Sequence, residues 1–197
     1  KPFSYAVPAY GFTSTVSVMN LEGKVIKELA KLPSAESAPS GNDNVQNVPR
    51  GFEWRDDEPA SIVYAMPLDS GFIKKSVEYH DAVYSLAVPF SQEPKELFKT
   101  KMRFAGVTWG DKNLALVSEV LRGRQTSKVS RYTPQTGAME VLYERNLTDA
   151  YRNPGSPVLT KNALGRDVIQ FTDNGTKILM NNPVGSSDQG DLPFIAK

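Results

Sequence analysis

The sequence predicts an all-β chain, a partial β-propeller built from four-stranded antiparallel blades. Three observations carry that expectation. Apolar residues alternate instead of recurring at helical spacing, Gly- and Asn-bearing turns punctuate the chain, and paired strand patterns repeat at a period near fifty residues.

The alternation is clear in Thr15-Val16-Ser17-Val18-Met19, Ser61-Ile62-Val63-Tyr64-Ala65, Asn113-Leu114-Ala115-Leu116-Val117 and Thr176-Lys177-Ile178-Leu179-Met180. About fourteen such runs meet the strand criteria of short length, β-branched or aromatic content and turn residues at both ends. The turns are Leu21-Glu22-Gly23, Leu68-Asp69-Ser70-Gly71, Gln135-Thr136-Gly137 and Asp173-Asn174-Gly175, each supplying a residue that tolerates positive φ. Two stretches with some helical character, 22–32 and 92–101, each follow a turn and are short, so each reads as the second strand of a hairpin. The tract 34–48 is rich in Ser, Pro, Gly and Asn and predicts a solvated, loop-rich insert.

Two hairpin patterns alternate. One ends in charge: Val16–Met19 with Val25–Leu29, Val83–Leu86 with Lys95–Phe98, and Val129–Tyr132 with Met139–Tyr143. The other is more apolar: Phe52–Trp54 with Ile62–Tyr64, Val107–Trp109 with Leu114–Val117, and a degenerate third copy, Val168–Phe171 with Ile178–Met180. An inner hairpin followed by an outer one is how a four-stranded blade is written. The chain therefore predicts one propeller segment over 1–197, three to four blades counting half-blades. Trp54 and Trp109 fall at matching places in successive blades. There they serve as core aromatics packed on the neighbouring sheet, or as platforms for a stacked ligand.

Composition narrows the function classes. In 197 residues, 23 Lys and Arg face 22 Asp and Glu for a net charge of +1. That balance offers no field for nucleic acid. There are no cysteines and one histidine, so no thiolate metal site, disulfide or cysteine nucleophile is expected, and no metal or other cofactor. No run of eighteen apolar residues is present, so no membrane span is expected. A signal peptide and an initiator Met are also missing, which predicts a piece of a longer protein.

Catalytic machinery looks incomplete. The nearest approach to a nucleophile elbow, Gly185-Ser186-Ser187-Asp188-Gln189, has Gln where the last Gly belongs and no helix after it. His80 precedes Asp81, but neighbouring strand residues point to opposite faces, so the pair is not expected to form a dyad. His80 instead reads as a surface residue at a strand entrance.

Several segments resemble a known family in one order. Arg50-Gly51-Phe52-Glu53-Trp54-Arg55-Asp56-Asp57-Glu58-Pro59 is similar to the Arg-x-x-x-Trp-Arg-x-Asp-x-Pro segment of glutamyl-endopeptidase-like members of the prolyl oligopeptidase family. Lys1–Tyr5, His80–Tyr84, Trp109–Val117, Tyr151–Pro157 and Gln189–Phe194 resemble further segments of those serine peptidases in the same register. The chain departs from them at Met66 and His80, where the family has Glu and Arg, and after Val117, where only Glu119 of a Tyr-Glu-Ser-Trp segment remains.

The resemblance implies a propeller that gates peptide substrate for a separate C-terminal α/β-hydrolase domain holding the catalytic Ser, Asp and His, a domain not contained in these residues. It also implies a periplasmic or secreted endopeptidase or aminopeptidase. Arg50, Arg55, Glu119, Arg122 and Arg124 are the candidates for substrate contact, because a guanidinium grips a carboxylate through two parallel hydrogen bonds. For Arg55 the competing role is a local ion pair with Asp57 that holds a turn. The contrasting function is a non-enzymatic propeller module that binds protein or glycan partners through its loops. Either way, half-blades with open edges predict that the isolated segment associates, most simply as a two-fold homodimer.

Overall fold

The structure is a computed structural model that describes residues 9–197, so the Lys1–Tyr5 segment lies outside the described residues. Among the described residues there are nineteen strands, four short 3-10 turns and no α-helix. The chain is all-β, as predicted.

A first hairpin joins β1 (Ser14–Met19) to β2 (Val25–Leu32). Two four-stranded meanders follow. The first comprises β3 (Arg50–Trp54), β4 (Ser61–Pro67), β5 (Asp81–Ala87) and β6 (Lys95–Thr100); the second comprises β7 (Arg103–Asp111), β8 (Leu114–Leu121), β9 (Thr126–Thr133) and β10 (Ala138–Asn146). In both, sequence neighbours are spatial neighbours and every pairing is antiparallel. The stretches 22–32 and 92–101 supply β2 and β6 as hairpin partners, so the weak helical character is overridden by pairing.

Local chemistry explains the turns. Asp111 accepts from the backbone N–H of Asn113 at 2.7 Å and of Leu114 at 3.1 Å, closing the β7–β8 connection. Gly137 sits at φ +76 while its N–H donates to Thr133 O, closing β9–β10.

The two meanders pack face to face. Val63, Ala65, Val83 and Phe98 of the first interlock with Trp109, Ala115, Val117 and Tyr132 of the second. On the other face of the first sheet, Ile62, Leu86 and Phe90 meet Val18 of β1. The first sheet is therefore apolar on both faces, which is why β4 is buried at almost every position and its alternation is blurred.

The register matches the two tryptophans. Trp54 pairs with Ile62 and that residue with Leu86; Trp109 pairs with Ala115 and that residue with Tyr132. Each indole lies at or near the end of the first strand of its sheet and faces the second residue of the next strand, Ile62 or Ala115. Their burial differs: Trp109 is 1% exposed and Trp54 is 48% exposed. A full sheet covers the first, whereas Trp54 meets the Phe90 ring edge-on at 6.2 Å and otherwise faces the β1–β2 hairpin.

The C-terminal part consists of short strands. These are β11 (Ser156–Pro157), β12 (Leu159–Lys161), β13 (Asp167–Ile169), β14 (Phe171–Thr172), β15 (Lys177–Ile178), β16 (Met180–Asn182), β17 (Ser186–Ser187), β18 (Gly190–Asp191) and β19 (Phe194–Ala196). The predicted third inner hairpin forms only in part. Phe171 and Thr172 pair with Ile178 and Lys177, but Val168 and Ile169 pair with Thr160 and Leu159. The partner changes at Gln170, whose N–H donates to Val158 O.

The tract 34–48 is a loop, but an anchored one and not merely solvated. Val45 N–H donates to Gly71 O at 3.0 Å, and Asn44 Oδ1 accepts from Ile73 N–H at 3.0 Å. A Cβ on Gly71, at φ +87, would lie 2.0 Å from Val45 O, so only glycine allows this approach.

Removing the two indoles should have unequal effects. Trp109→Ala should destabilise the chain by about 3–5 kcal/mol, and Trp54→Ala by under about 2 kcal/mol because half its surface is already hydrated. Urea unfolding of the two variants measures both. Equal losses would place the indoles in different environments from those described.

Candidate functional site

The polar interior gathers at one end of the two sheets, where β3, β5 and β7 begin. Arg103 opens β7 and is 4% exposed. Its Nη1 and Nη2 donate to Asp69 Oδ1 and Oδ2 at 3.1 and 2.7 Å. Nη1 also reaches Asp81 Oδ1 at 3.0 Å and His80 O at 3.3 Å, and Nε donates to Asp43 O at 2.6 Å. Asp81 Oδ2 accepts from Phe104 N–H at 2.7 Å and pairs with Arg50 Nη2. Both carboxylates are fully buried, and both belong to the first sheet or its β4–β5 connection. Arg103 belongs to the second. The ion cluster is thus a joint between sheets.

His80 Nδ1 lies 2.8 Å from Asp69 Oδ2. The histidine is therefore not the surface residue expected at a strand entrance. It is largely buried and bonded to a carboxylate eleven positions earlier in the chain, not to adjacent Asp81. Burial alone would raise the Asp69 carboxyl, but its hydrogen bonds to Arg103 and His80 outweigh that and hold it below the usual carboxylate range.

The five arginine and glutamate candidates separate into distinct environments. Arg50 joins the buried cluster, with its Nη1 buried and making no hydrogen bond among the described residues. Glu119 on β8 is 2% exposed; it pairs with Lys128 Nζ at 2.9 Å and accepts from Met102 N–H at 2.9 Å. Arg122 and Arg124 lie on the short 3-10 turn after β8, and both are exposed. Asp43 holds that turn by accepting from Arg122 N–H at 2.7 Å and Gly123 N–H at 2.8 Å.

Arg55 is at the opposite end of the sheets, after β3. Its fork grips Asp57 at 3.0 and 2.7 Å, Glu58 lies 3.1 Å away, and its guanidinium stacks 4.1 Å above the Trp109 ring. From the third strand group, Arg166 Nη1 donates to Arg55 O and to Glu58 O, and Asn162 Nδ2 to Asp56 O. Burial raises the carboxyl of Asp56 between them. The local ion pair with Asp57 is formed, and Trp109 receives a cation on its face instead of an open ligand platform.

Sequence reading missed Asp69 and Arg103. Asp69 stood in a predicted turn and Arg103 outside every predicted hairpin, 34 positions later. The one available signal was an arginine set between apolar Met102 and Phe104.

Next to this joint a cleft of about 930 Å³ opens between the 37–44 loop, the 72–74 segment and the turn after β8. Ser187, the nearest approach to a nucleophile, sits in the small β17–β18 hairpin, and its hydroxyl donates to Gly190 O at 2.7 Å. Among the described residues no group of three His, Cys, Asp or Glu is placed to hold a metal ion, and no helix is long and apolar enough to cross a membrane.

What fold and site define together is an all-β segment whose sheets are locked by buried charge beside an open polar cleft. No family model matches the chain. It is 34% identical over 202 residues to a protein of Oryza sativa subsp. japonica named "Probable glutamyl endopeptidase, chloroplastic". It is 32% identical over 203 residues to an Arabidopsis thaliana protein of the same name. Each alignment takes in 99% of this chain and 21% of the relative. The chain thus spans about a fifth of the length of these curated relatives and is similar to one region of a peptidase-named protein.

The buried joint predicts an acid limb in stability. Because the Asp69 carboxyl is held low in the folded state, its contribution is complete above the ordinary carboxylate range and is lost as pH falls through the lowered value. Between roughly pH 5 and pH 2 the chain should lose stability more steeply than Asp69→Asn. Arg103→Met, which leaves Asp81 with Arg50 and Asp69 with His80 as their remaining side-chain partners, should cost about 3–5 kcal/mol at neutral pH. Denaturant titrations across that range measure both; parallel pH profiles for the chain and Asp69→Asn would contradict the assignment.

Proposed function

We propose that this chain is a non-catalytic β-propeller segment of a serine peptidase of the prolyl oligopeptidase family. In this reading it controls the approach of peptide to a separate α/β-hydrolase domain. The observation that carries it is the equivalence of the two meanders. Each carries a tryptophan near the end of its first strand, each runs in simple strand order, and the two indoles hold matching positions in the cross-strand register, as in successive blades. The peptidase-named relatives, of which this region is a fifth, support a peptidase as the full protein.

Of the five candidates, Arg122 and Arg124 are the ones we assign to substrate contact. They are exposed and carry no carboxylate partner among the described residues, whereas Arg50, Arg55 and Glu119 are occupied within the fold. By the same resemblance we assign the full protein to a periplasmic or secreted setting. The exposed strip around Trp54 is where a second copy of the isolated segment would pack in a two-fold pair.

The experiment uses the full-length protein. Its gene should encode a Gly-x-Ser-x-Gly elbow after this region, and the protein should cleave short peptides while sparing the same sequences inside folded proteins. Arg122→Ala with Arg124→Ala should raise KM with little change in kcat, as expected when binding is lost without loss of transition-state stabilisation. An absent elbow, or no hydrolysis of any peptide, would sink the reading and leave a loop-mediated binding module in its place.

A further inference from the structure

Three aromatics hold one cross-strand position. Trp54 faces Ile62, Trp109 faces Ala115 and Phe171 faces Ile178, each partner being the second residue of its strand. At both junctions inside the described residues, such an aromatic is met by the residue that follows its equivalent in the preceding strand group. Arg55, next after Trp54, lies 4.1 Å over the Trp109 ring. Gly110, next after Trp109, lies so close to Phe171 that a Cβ on it would stand 3.1 Å from that ring. Trp54 alone of the three has no such cover among the described residues. Its ring is 48% exposed, meets Phe90 edge-on and carries no cation on its face.

The strand edge beside Trp54 is open in the same way. β5 and β9 are each flanked by two strands, whereas β1 pairs with β2 alone among the described residues. Yet β1 takes the place of β5: Val18 packs on the first sheet as Val83 packs on the second. The β1–β2 hairpin is therefore the outer half of a sheet whose inner half would pair with β1 and lie over Trp54.

An open edge and an open ring side by side fit one occupant, an apolar hairpin of the β3–β4 type. A second copy of the isolated segment can only lie against this strip, because its own Arg55 and Gly110 are already engaged with Trp109 and Phe171. The interval from Trp54 to Trp109, stepped back from Trp54, falls ahead of Lys1. The curated relatives, of which this chain spans 21%, have ample length for such a hairpin.

We infer that the edge of β1 and the face of Trp54 receive a β-hairpin of the same polypeptide, from outside these 197 residues, whose first strand ends in an aromatic residue followed by arginine. That arginine stacks on Trp54 as Arg55 does on Trp109, since a guanidinium over an indole gains cation–π attraction and buries apolar area. The inference rests on the blade reading of the two meanders and not on peptidase activity.

The test uses full-length protein with the photocrosslinker p-benzoylphenylalanine in place of Trp54. Irradiation should join this position, within one chain, to a strand-turn-strand segment about one repeat before it, and the joined peptide should contain an aromatic-arginine pair. In the unsubstituted full-length protein, hydroxyl-radical oxidation of Trp54 should run within about threefold of that of Trp109. Changing the mapped arginine to Met should raise Trp54 oxidation at least about threefold, the effect of losing a cation–π contact, and leave Trp109 as it was. A crosslink between two chains or to a segment after this region, no crosslink within the chain, or faster oxidation of Trp54 than that limit would overturn the hairpin. Unchanged Trp54 oxidation in the Met variant would overturn the arginine. The peptidase reading is tested apart from this: a missing Gly-x-Ser-x-Gly elbow with the crosslink intact counts against the peptidase alone, and an elbow with Trp54 open counts against the hairpin alone.

Discussion

Among the described residues Arg103 is the one cation that forms ion pairs from one four-stranded sheet to the other. All three of its guanidinium nitrogens donate: two bonds go to Asp69, one to Asp81, one to Asp43 O and one to His80 O. Burying a carboxylate is costly unless it is paired and hydrogen-bonded, and Asp69 and Asp81 are both fully buried. Arg50 and Arg103 together balance them. No other residue type could do this in the space available, since a lysine ammonium lacks the planar fork that spans two carboxylates. The 34–48 loop, the Asp69 turn and the first strand of the second sheet are thereby fixed relative to one another.

The apolar contact between the sheets depends on that fixation. Trp109, Phe98 and Tyr132 interlock with close aromatic geometry; Phe98 and Tyr132 lie 4.7 Å apart, edge to face. Such packing tolerates little sliding. The ion joint pins one end of the interface, and Arg55 on the Trp109 ring pins the other, where Arg166 and Asn162 tie in the next strand group. Sheet stacking is thus clamped at both ends by charge and filled between by aromatics.

Much of the fold could be read from residues. Gly and Asn at turns set the hairpins, and the repeated Trp-bearing strand gave the spacing of the sheets; both signals are local, or repeat at one period. The degenerate third hairpin was less legible because Val168 and Ile169 had two apolar runs of equal quality to pair with, 159–160 and 178–180. The ion joint was the least legible. Asp69 looks like any turn aspartate until the chain brings Arg103 to it, and no period or motif encodes a contact across 34 positions. His80 was misread for the same reason, its partner lying in a loop and not on its own strand.

The arginines show how burial separates structure from function. At a sheet end a guanidinium can serve the fold or a ligand, and its partners decide which. Arg103 and Arg55 are desolvated and matched by carboxylates of the same chain, so a ligand would have to displace bonds already made at favourable geometry. Arg122 and Arg124 are exposed and form no ion pair among the described residues, so an incoming carboxylate meets them at little cost beyond ordering two side chains. The backbone beneath them, held by Asp43, is already ordered by the same joint that binds the sheets. Rigidity from the buried charges is therefore passed to a rim whose own charges are free, and a cleft built this way binds without first having to fold.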